Sequence, residues 1–154
     1  NVSQVLAQHL RGVYNGGNWT AVNLKDTLEG ISWQQATANM YHLNTIAALV
    51  YHINYYVDAI LKVLQGSTLD ASDKFSFDLK PVTSEEDWQK LISYVFLQAD
   101  ALATQIEKLE EQKLFAVFAD EKYGSYYRNI SGLIEHTHYH LGQITLIKKI
   151  LANQ

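Results

Sequence analysis

The stretch Glu85–Leu109, EEDWQKLISYVFLQADALATQIEKL, has the clearest structural pattern in the chain. Its apolar residues recur four and three positions apart without a break, which is the spacing of one face of a helix in a bundle. The members of this face are Trp88, Ile92, Val95, Ala99, Leu102, Ile106 and Leu109. Thr83 and Ser84 precede it as caps, and Thr83 with Glu86 matches a capping box. The stretch therefore predicts a long amphipathic helix.

Three further segments have the same helical periodicity. The first covers about Val2–Tyr14 and stops at the glycines that follow it. The second begins at Asn44, a good N-cap residue, and ends before Gly66. The last covers about 125–151. Since no run alternates convincingly with the period of a strand, we expect an all-α fold, a four-helix bundle formed by one domain over residues 1–154.

The connections between these helices are too long for a simple up-down-up-down bundle. Residues 66–83 form a connection of about 18 residues, which reaches about 60 Å when extended, whereas the second helix is only about 31 Å long. We therefore expect a crossover between the second and third helices. Residues 16–43 carry their own apolar pattern and are expected to include a short helix that packs on the bundle.

The composition argues against several classes of function. The chain has no cysteine, which excludes disulfides, thiolate metal sites and a cysteine nucleophile. Its 12 basic and 16 acidic residues give a net charge of −4 without a basic stripe, so no nucleic-acid partner is expected. Charged and polar residues interrupt every apolar run before it could span a bilayer. A cytoplasmic protein with no membrane partner is the expectation.

The strongest chemical signal is the segment 135–140, EHTHYH. At 100° per residue, His136 and His140 lie about 40° apart on one helix face, one turn from each other, so both imidazoles can bind one metal ion. His138 points about 160° away from either. His52 lies in the apolar stripe of the second helix, where an imidazole needs a partner. Three imidazoles leave coordination positions for water or substrate, which is typical of a catalytic site.

A structural explanation competes with the metal site at this point. The chain has six histidines, and a pair spaced four apart arises by chance in roughly one such sequence in five. A single inward histidine is more often a core residue bonded to a carbonyl or a tyrosine. His9 also falls on the inward positions of the first helix, and His42 precedes the second helix as a loop or surface residue.

Two segments resemble the DinB/YfiT-like superfamily. His136–Ile144, HTHYHLGQI, resembles its last-helix motif, in which H-x-x-x-H is followed by one residue and then by Gly-Gln-Ile. Asn44–Tyr56, NTIAALVYHINYY, is similar to its second-helix motif, which contributes the first ligand. The resemblance implies a four-helix bundle in up-down-down-up order and a three-histidine metal site on His52, His136 and His140.

The same resemblance implies a divalent metal ion, with zinc or nickel as the common choices and iron or manganese as alternatives, and a homodimer. Characterised members include thiol-dependent transferases and isomerases that use bacillithiol or mycothiol, and metal-dependent hydrolases have been proposed. It therefore implies a metal-dependent enzyme for a small-molecule substrate, first of the thiol-dependent S-transferase type with a low-molecular-weight thiol. A metal-dependent hydrolase and a non-catalytic helical-bundle protein stay open as alternatives.

Two more residues are candidates for lining the pocket. Gln143, three residues past His140, is expected to line the cleft or to bond a ligand, and Tyr56 lies one turn beyond His52 on the same stripe. Gly142 is expected to permit the close approach of a neighbouring element. Glu135 lies about 100° from His136 and is expected to be solvated, so no carboxylate has the helical spacing of a general base.

Overall fold

The computed structural model describes all 154 residues, and every regular element in it is a helix. The four long helices are α1 (Val2–Asn15), α4 (Ile46–Leu64), α5 (Glu85–Glu107) and α7 (Tyr126–Ala152). The three short ones are α2 (Leu24–Leu28), α3 (Trp33–Ala36) and α6 (Glu111–Leu114), and 3₁₀ turns cover Asp73–Phe75 and Glu121–Tyr123. The all-α prediction is confirmed. None of the helices is long and apolar enough to cross a membrane.

Polar side chains cap the starts of the long helices, although two caps differ from the prediction. Helix α4 is capped by Thr45 rather than Asn44, because the Thr45 side chain accepts from the backbone N–H of Ala48. The capping box of Thr83 with Glu86 does not form. Instead Ser84 caps α5 by accepting from the backbone N–H of Asp87, whose carboxylate accepts from the N–H and hydroxyl of Thr83.

The long helices enclose one apolar core, because α4 and α1 each pack against both α5 and α7. Helices α1 and α5 are antiparallel, since Ser3 at the start of α1 donates to the Leu109 carbonyl while Tyr14 meets the ring of Phe96. The packing excludes His9 from the core, contrary to the prediction. The buried face of α1 centres near Leu10, about 100° from His9, which is exposed.

The connection from α4 to α5, residues 65–84, runs back along α4 and is called the crossover below. Its Ser72 bonds the hydroxyl of Tyr55, and its Ser76, four residues later, bonds His52, one turn earlier in α4. The crossover therefore travels opposite to α4.

Helix α5 consequently begins at the end of the molecule where α7 finishes. Trp88 in the first turn of α5 donates to the Ile31 carbonyl, and Lys148 near the end of α7 donates to the Thr27 carbonyl in the same α2–α3 region. Residues 16–43 form two short helices, α2 and α3, where one was expected. Helix α6 was not predicted, because four residues are too short for a helical period to show.

Trp88 anchors the start of α5, and Trp19 provides a matched exposed position. The Trp88 side chain is fully buried and its indole N–H lies 2.9 Å from the Ile31 carbonyl oxygen. We expect W88F to lower the free energy of unfolding by about 2–4 kcal/mol, because it leaves a cavity and an unpaired carbonyl. W19F, at a fully exposed residue, should change it by less than about 0.5 kcal/mol. Urea unfolding followed by circular dichroism measures both, and equal losses would contradict this packing.

Candidate metal centre

Helices α4 and α7 bring three imidazoles together where they pack, and these three residues are called the histidine trio: His52, His136 and His140. The Nε2 atom of His136 lies 3.1 Å from Nε2 of His52 and 3.1 Å from Nε2 of His140. One ring nitrogen from each residue lies within 4.8 Å of the others. His52 and His140 are only 7% and 8% exposed, and His136 is half-buried.

The three remaining histidines, His9, His42 and His138, lie outside the trio. His138 is half-buried and lines a cavity with His9 and Trp19 on the α1 side of α7. His42 is exposed in the loop before α4, where its φ is 60°. His136 and His140 lie one helical turn apart and therefore share the face of α7 that meets His52, whereas His138 lies on a different face.

Hydrogen bonds to the outer nitrogens determine where two of the ring protons lie. His52 Nδ1 lies 3.2 Å from the Ser76 carbonyl oxygen, and His140 Nδ1 lies 2.7 Å from Oε1 of Gln143. Both oxygens can only accept, so each Nδ1 carries the hydrogen and donates it. The neutral ring has one hydrogen, which leaves a lone pair on Nε2 of His52 and of His140.

These lone pairs cannot all be satisfied within the protein. Both point at Nε2 of His136, which carries at most one hydrogen and so can donate to one neighbour only. His136 Nδ1 is buried with no hydrogen-bond partner. A cation at the centre would accept all three lone pairs. Imidazole nitrogens about 2.0–2.1 Å from a tetrahedral zinc ion lie about 3.3 Å apart. The two separations that involve His136 are 3.1 Å, and all three nitrogens lie within 4.8 Å of one another. The residues fit a divalent metal ion.

Burial favours the neutral state of His52 and His136, which is the state that metal ligation requires. Loss of solvation lowers the pKa of His52. It lowers the pKa of His136 to about 4, and the neighbouring His140 and His52 add to this effect because a charged imidazole beside them is disfavoured. Metal ligation requires unprotonated nitrogen, so a lowered pKa reduces competition from protons.

Aromatic rings pack around the trio. Phe77 of the crossover stacks on His52, with centroids 3.9 Å apart and an angle of 5° between the planes. Tyr56 meets the edges of His52 and His136 at 5.4 Å and 5.0 Å, and Tyr139 meets His140 at 4.9 Å. These rings limit the approach of solvent to the sides that they cover.

A cavity of about 620 Å³ opens beside the trio, between α4 and α7. His136 is the member of the trio that lines it. Tyr56 and Leu133 contribute apolar surface to the wall, and Arg128 and Glu135 contribute opposite charges. A small molecule that enters this cavity therefore reaches the trio from the His136 side.

The structure agrees with some of the predictions for residues near the site and disagrees with one. Gln143 bonds His140, and Tyr56 lies against two rings of the trio. Gly142 is exposed and has nothing within 4 Å of the position that a Cβ would take, so the close approach expected there is wrong. Glu135 is exposed, as predicted, and it still lines the cavity.

The sequence analysis missed the crossover as part of the site. The Ser76 carbonyl and the Phe77 ring both contact His52. They carry no motif, because a backbone carbonyl occurs at every residue and Phe77 lies in a segment without helical periodicity. The one indication was the length of the connection, which predicted a crossover that returns along the bundle.

Comparison of the chain with known protein families, with curated proteins and with solved structures found no match. The resemblance to the DinB/YfiT-like superfamily therefore stays a prediction, which depends on the segments 44–56 and 136–144. The chemistry of the site has to be argued from its own residues.

The lowered pKa of His136 predicts acid sensitivity of the metal-free protein. An unfolded histidine titrates near 6.5, whereas folded His136 titrates near 4, so the unfolded state binds more protons in between. The free energy of unfolding should therefore be highest above pH 6.5 and should fall as the pH drops toward 4. Urea unfolding in the presence of a chelator measures this dependence. H136Q should show a shallower dependence, and an unchanged slope in that variant would contradict the assignment.

Proposed function

We propose that this chain binds a divalent metal ion through His52, His136 and His140 and acts as a metal-dependent enzyme of the DinB/YfiT-like type. The observation that carries the proposal is the convergence of three Nε2 atoms, from two buried rings and one half-buried ring, that together have too few hydrogens to satisfy one another. A cavity that opens on one member of this trio favours a catalytic use over a sealed structural site.

The arrangement of the long helices supports the four-helix-bundle part of this proposal. Contacts put the end of α7 and the start of α5 at one end of the molecule, and the crossover returns along α4 toward that same end. Helix α1 runs antiparallel to α5 and therefore finishes there. These contacts support the up-down-down-up order that we propose from the resemblance.

Zinc and nickel are the metals we propose first, with iron and manganese as alternatives, since imidazole nitrogen suits all of them. A divalent cation held by three neutral imidazoles supplies Lewis acidity, which lowers the pKa of a thiol or water bound to it. Around it, Gln143 and the Ser76 carbonyl hold the outer nitrogens of His140 and His52, so both rings keep the orientation that metal binding needs.

We propose thiol-dependent S-transfer as the reaction. The chain contains no cysteine, so the thiol has to be a second small molecule, such as bacillithiol, mycothiol or glutathione. The cavity of about 620 Å³ is within the range of ligand pockets, which leaves room for a thiol and an electrophile. Its wall offers Arg128 to an anionic group and Ile60 with Leu133 to an apolar one.

Glu135 favours metal-dependent hydrolysis as a second candidate. Its carboxylate lines the same cavity as His136 and is the only acidic side chain there. A carboxylate at this position is suited to accept a proton from water during attack on an ester or lactone.

Metal content tests the ligand assignment. We expect H52Q, H136Q and H140Q each to weaken zinc and nickel binding by about two orders of magnitude or more, since each removes one of three ligands. H138Q and H42Q are matched controls and should keep the affinity of the wild type. Elemental analysis of protein purified without added metal, followed by titration of the metal-free protein, measures this. Equal metal content in all five variants would overturn the assignment.

Paired assays separate the candidate reactions. Thiol-dependent activity predicts conjugation of 1-chloro-2,4-dinitrobenzene with at least one of the three thiols and loss of turnover with a chelator. Hydrolysis predicts turnover of ester or lactone substrates without a thiol, with at least a tenfold loss of kcat in E135Q. If metal-loaded protein is inactive in both panels, and the trio variants change only metal content, the protein is a non-catalytic metal binder.

A further inference from the structure

One turn of the crossover supplies the only hydrogen-bond partner of the outer nitrogen of His52. The 3₁₀ turn Asp73–Phe75 ends at Ser76, whose carbonyl oxygen accepts from His52 Nδ1. Ser76 itself is buried, and its hydroxyl and N–H both donate to the Asp73 carbonyl at 2.7 Å and 3.1 Å. The position of the accepting carbonyl is thus determined by where Asp73 lies.

Two consecutive tyrosines of α4 hold the start of this turn. The Tyr55 hydroxyl donates to the Ser72 carbonyl at 3.1 Å and accepts from the Ser72 N–H at 2.8 Å. The Tyr56 hydroxyl donates to the Asp73 carboxylate at 2.7 Å. We call these four residues, Tyr55, Tyr56, Ser72 and Asp73, the crossover clamp. They tie the crossover to α4 one turn after His52.

Two residues that follow the clamp in the crossover, together with Tyr56 of the clamp, constrain the His52 ring from three directions. The Ser76 carbonyl holds Nδ1, Phe77 stacks on the face of the ring, and the Tyr56 ring lies against its edge. Tyr56 contacts the ring of His136 as well, and it lines the cavity beside the trio. Burial and the bond to Asp73 raise the pKa of Tyr56, which keeps its hydroxyl protonated and able to donate at neutral pH.

Loss of this constraint has a specific chemical consequence. A neutral imidazole freed from the Ser76 carbonyl can move its hydrogen from Nδ1 to Nε2. The hydrogen on Nε2 can then be donated to His136 Nε2, which lies 3.1 Å away. This tautomer satisfies one lone pair inside the trio, but it also occupies the nitrogen that has to bind metal.

We propose that Tyr56 and Asp73 are positioning residues that hold His52 in the Nδ1–H tautomer through the Ser76 carbonyl, so that its Nε2 stays free for the metal. The inference rests on the proposed metal function. Neither residue is itself a ligand. Asp73 lies 21 positions from His52 in the sequence and shares no helix with it.

The test combines zinc affinity with the tautomer of His52. Y56F and D73A should each weaken zinc binding about 10–100-fold, measured by competition with a chromophoric chelator. The double variant should bind zinc no more weakly than the weaker-binding single variant, because both changes break the same hydrogen bond, between Tyr56 and Asp73. D73N should stay closer to the wild-type affinity than D73A, because the amide oxygen can still accept from Tyr56.

Y94F is the matched control. The Tyr94 hydroxyl donates to Asp58 at 2.9 Å, so this variant also removes a tyrosine–aspartate bond, here between α5 and α4. No histidine ring contacts Tyr94. Y94F and Y56F should therefore change the unfolding of the metal-free protein to a similar extent, whereas zinc affinity should fall only in Y56F.

¹⁵N NMR of the metal-free protein shows which ring nitrogen of His52 carries the hydrogen. If Tyr56 and Asp73 only stabilised the fold, replacing them would not change this distribution. The wild type should carry its hydrogen on Nδ1, and Y56F and D73A should add the Nε2–H form. Wild-type protein that binds zinc, with affinity and tautomer unchanged in both variants, would overturn this inference alone. Wild-type protein that binds neither zinc nor nickel would overturn the proposed function and this inference with it.

Discussion

The histidine trio contains more lone pairs than hydrogen bonds within the protein can satisfy. Two imidazoles, fixed by oxygens on their outer sides, direct lone pairs at a third ring that has at most one hydrogen to give. The packing of α4 on α7 forces this approach, since His52 and His140 are buried between them. A cation would relieve the repulsion by accepting all three lone pairs.

Helical periodicity predicted the trio because two of its members lie one turn apart and the third lies in an apolar stripe. The same reasoning failed for His9, because periodicity places a residue on a face but does not say where the centre of the buried face falls. It failed for Gly142 because a glycine in a helix carries no information about its neighbour. The long helices were predictable for a related reason, since each repeats its apolar spacing several times.

The crossover could not be predicted in the same way, because its conformation is set by tertiary contacts. Residues 72–77 have no helical period, and their positions follow from two tyrosine hydroxyls and one imidazole on α4. The length of the whole connection indicated only a return along the bundle. Nothing in the sequence indicated that this return brings the Asp73 carboxylate, the Ser76 carbonyl and the Phe77 ring to the neighbourhood of His52. Sequence patterns locate ligands on regular elements more readily than the irregular segments that orient them.

A purely structural role for the trio is difficult to reconcile with its energetics. Three leucines of similar volume would fill the interface without unpaired lone pairs, and buried polar groups replaced in this way often leave a protein equally or more stable. The metal-free arrangement thus lowers the free energy of unfolding. A ligand that binds only the folded state raises this free energy by about 2.7 kcal/mol when its concentration is 100 times its dissociation constant. The hydrogen bonds of the outer nitrogens, which hold the unpaired lone pairs of His52 and His140 close to His136, also pre-organise these two rings for a cation. The instability of the metal-free trio and the affinity proposed for it would thus have one physical origin, the lone pairs that the Ser76 and Gln143 hydrogen bonds keep directed at His136.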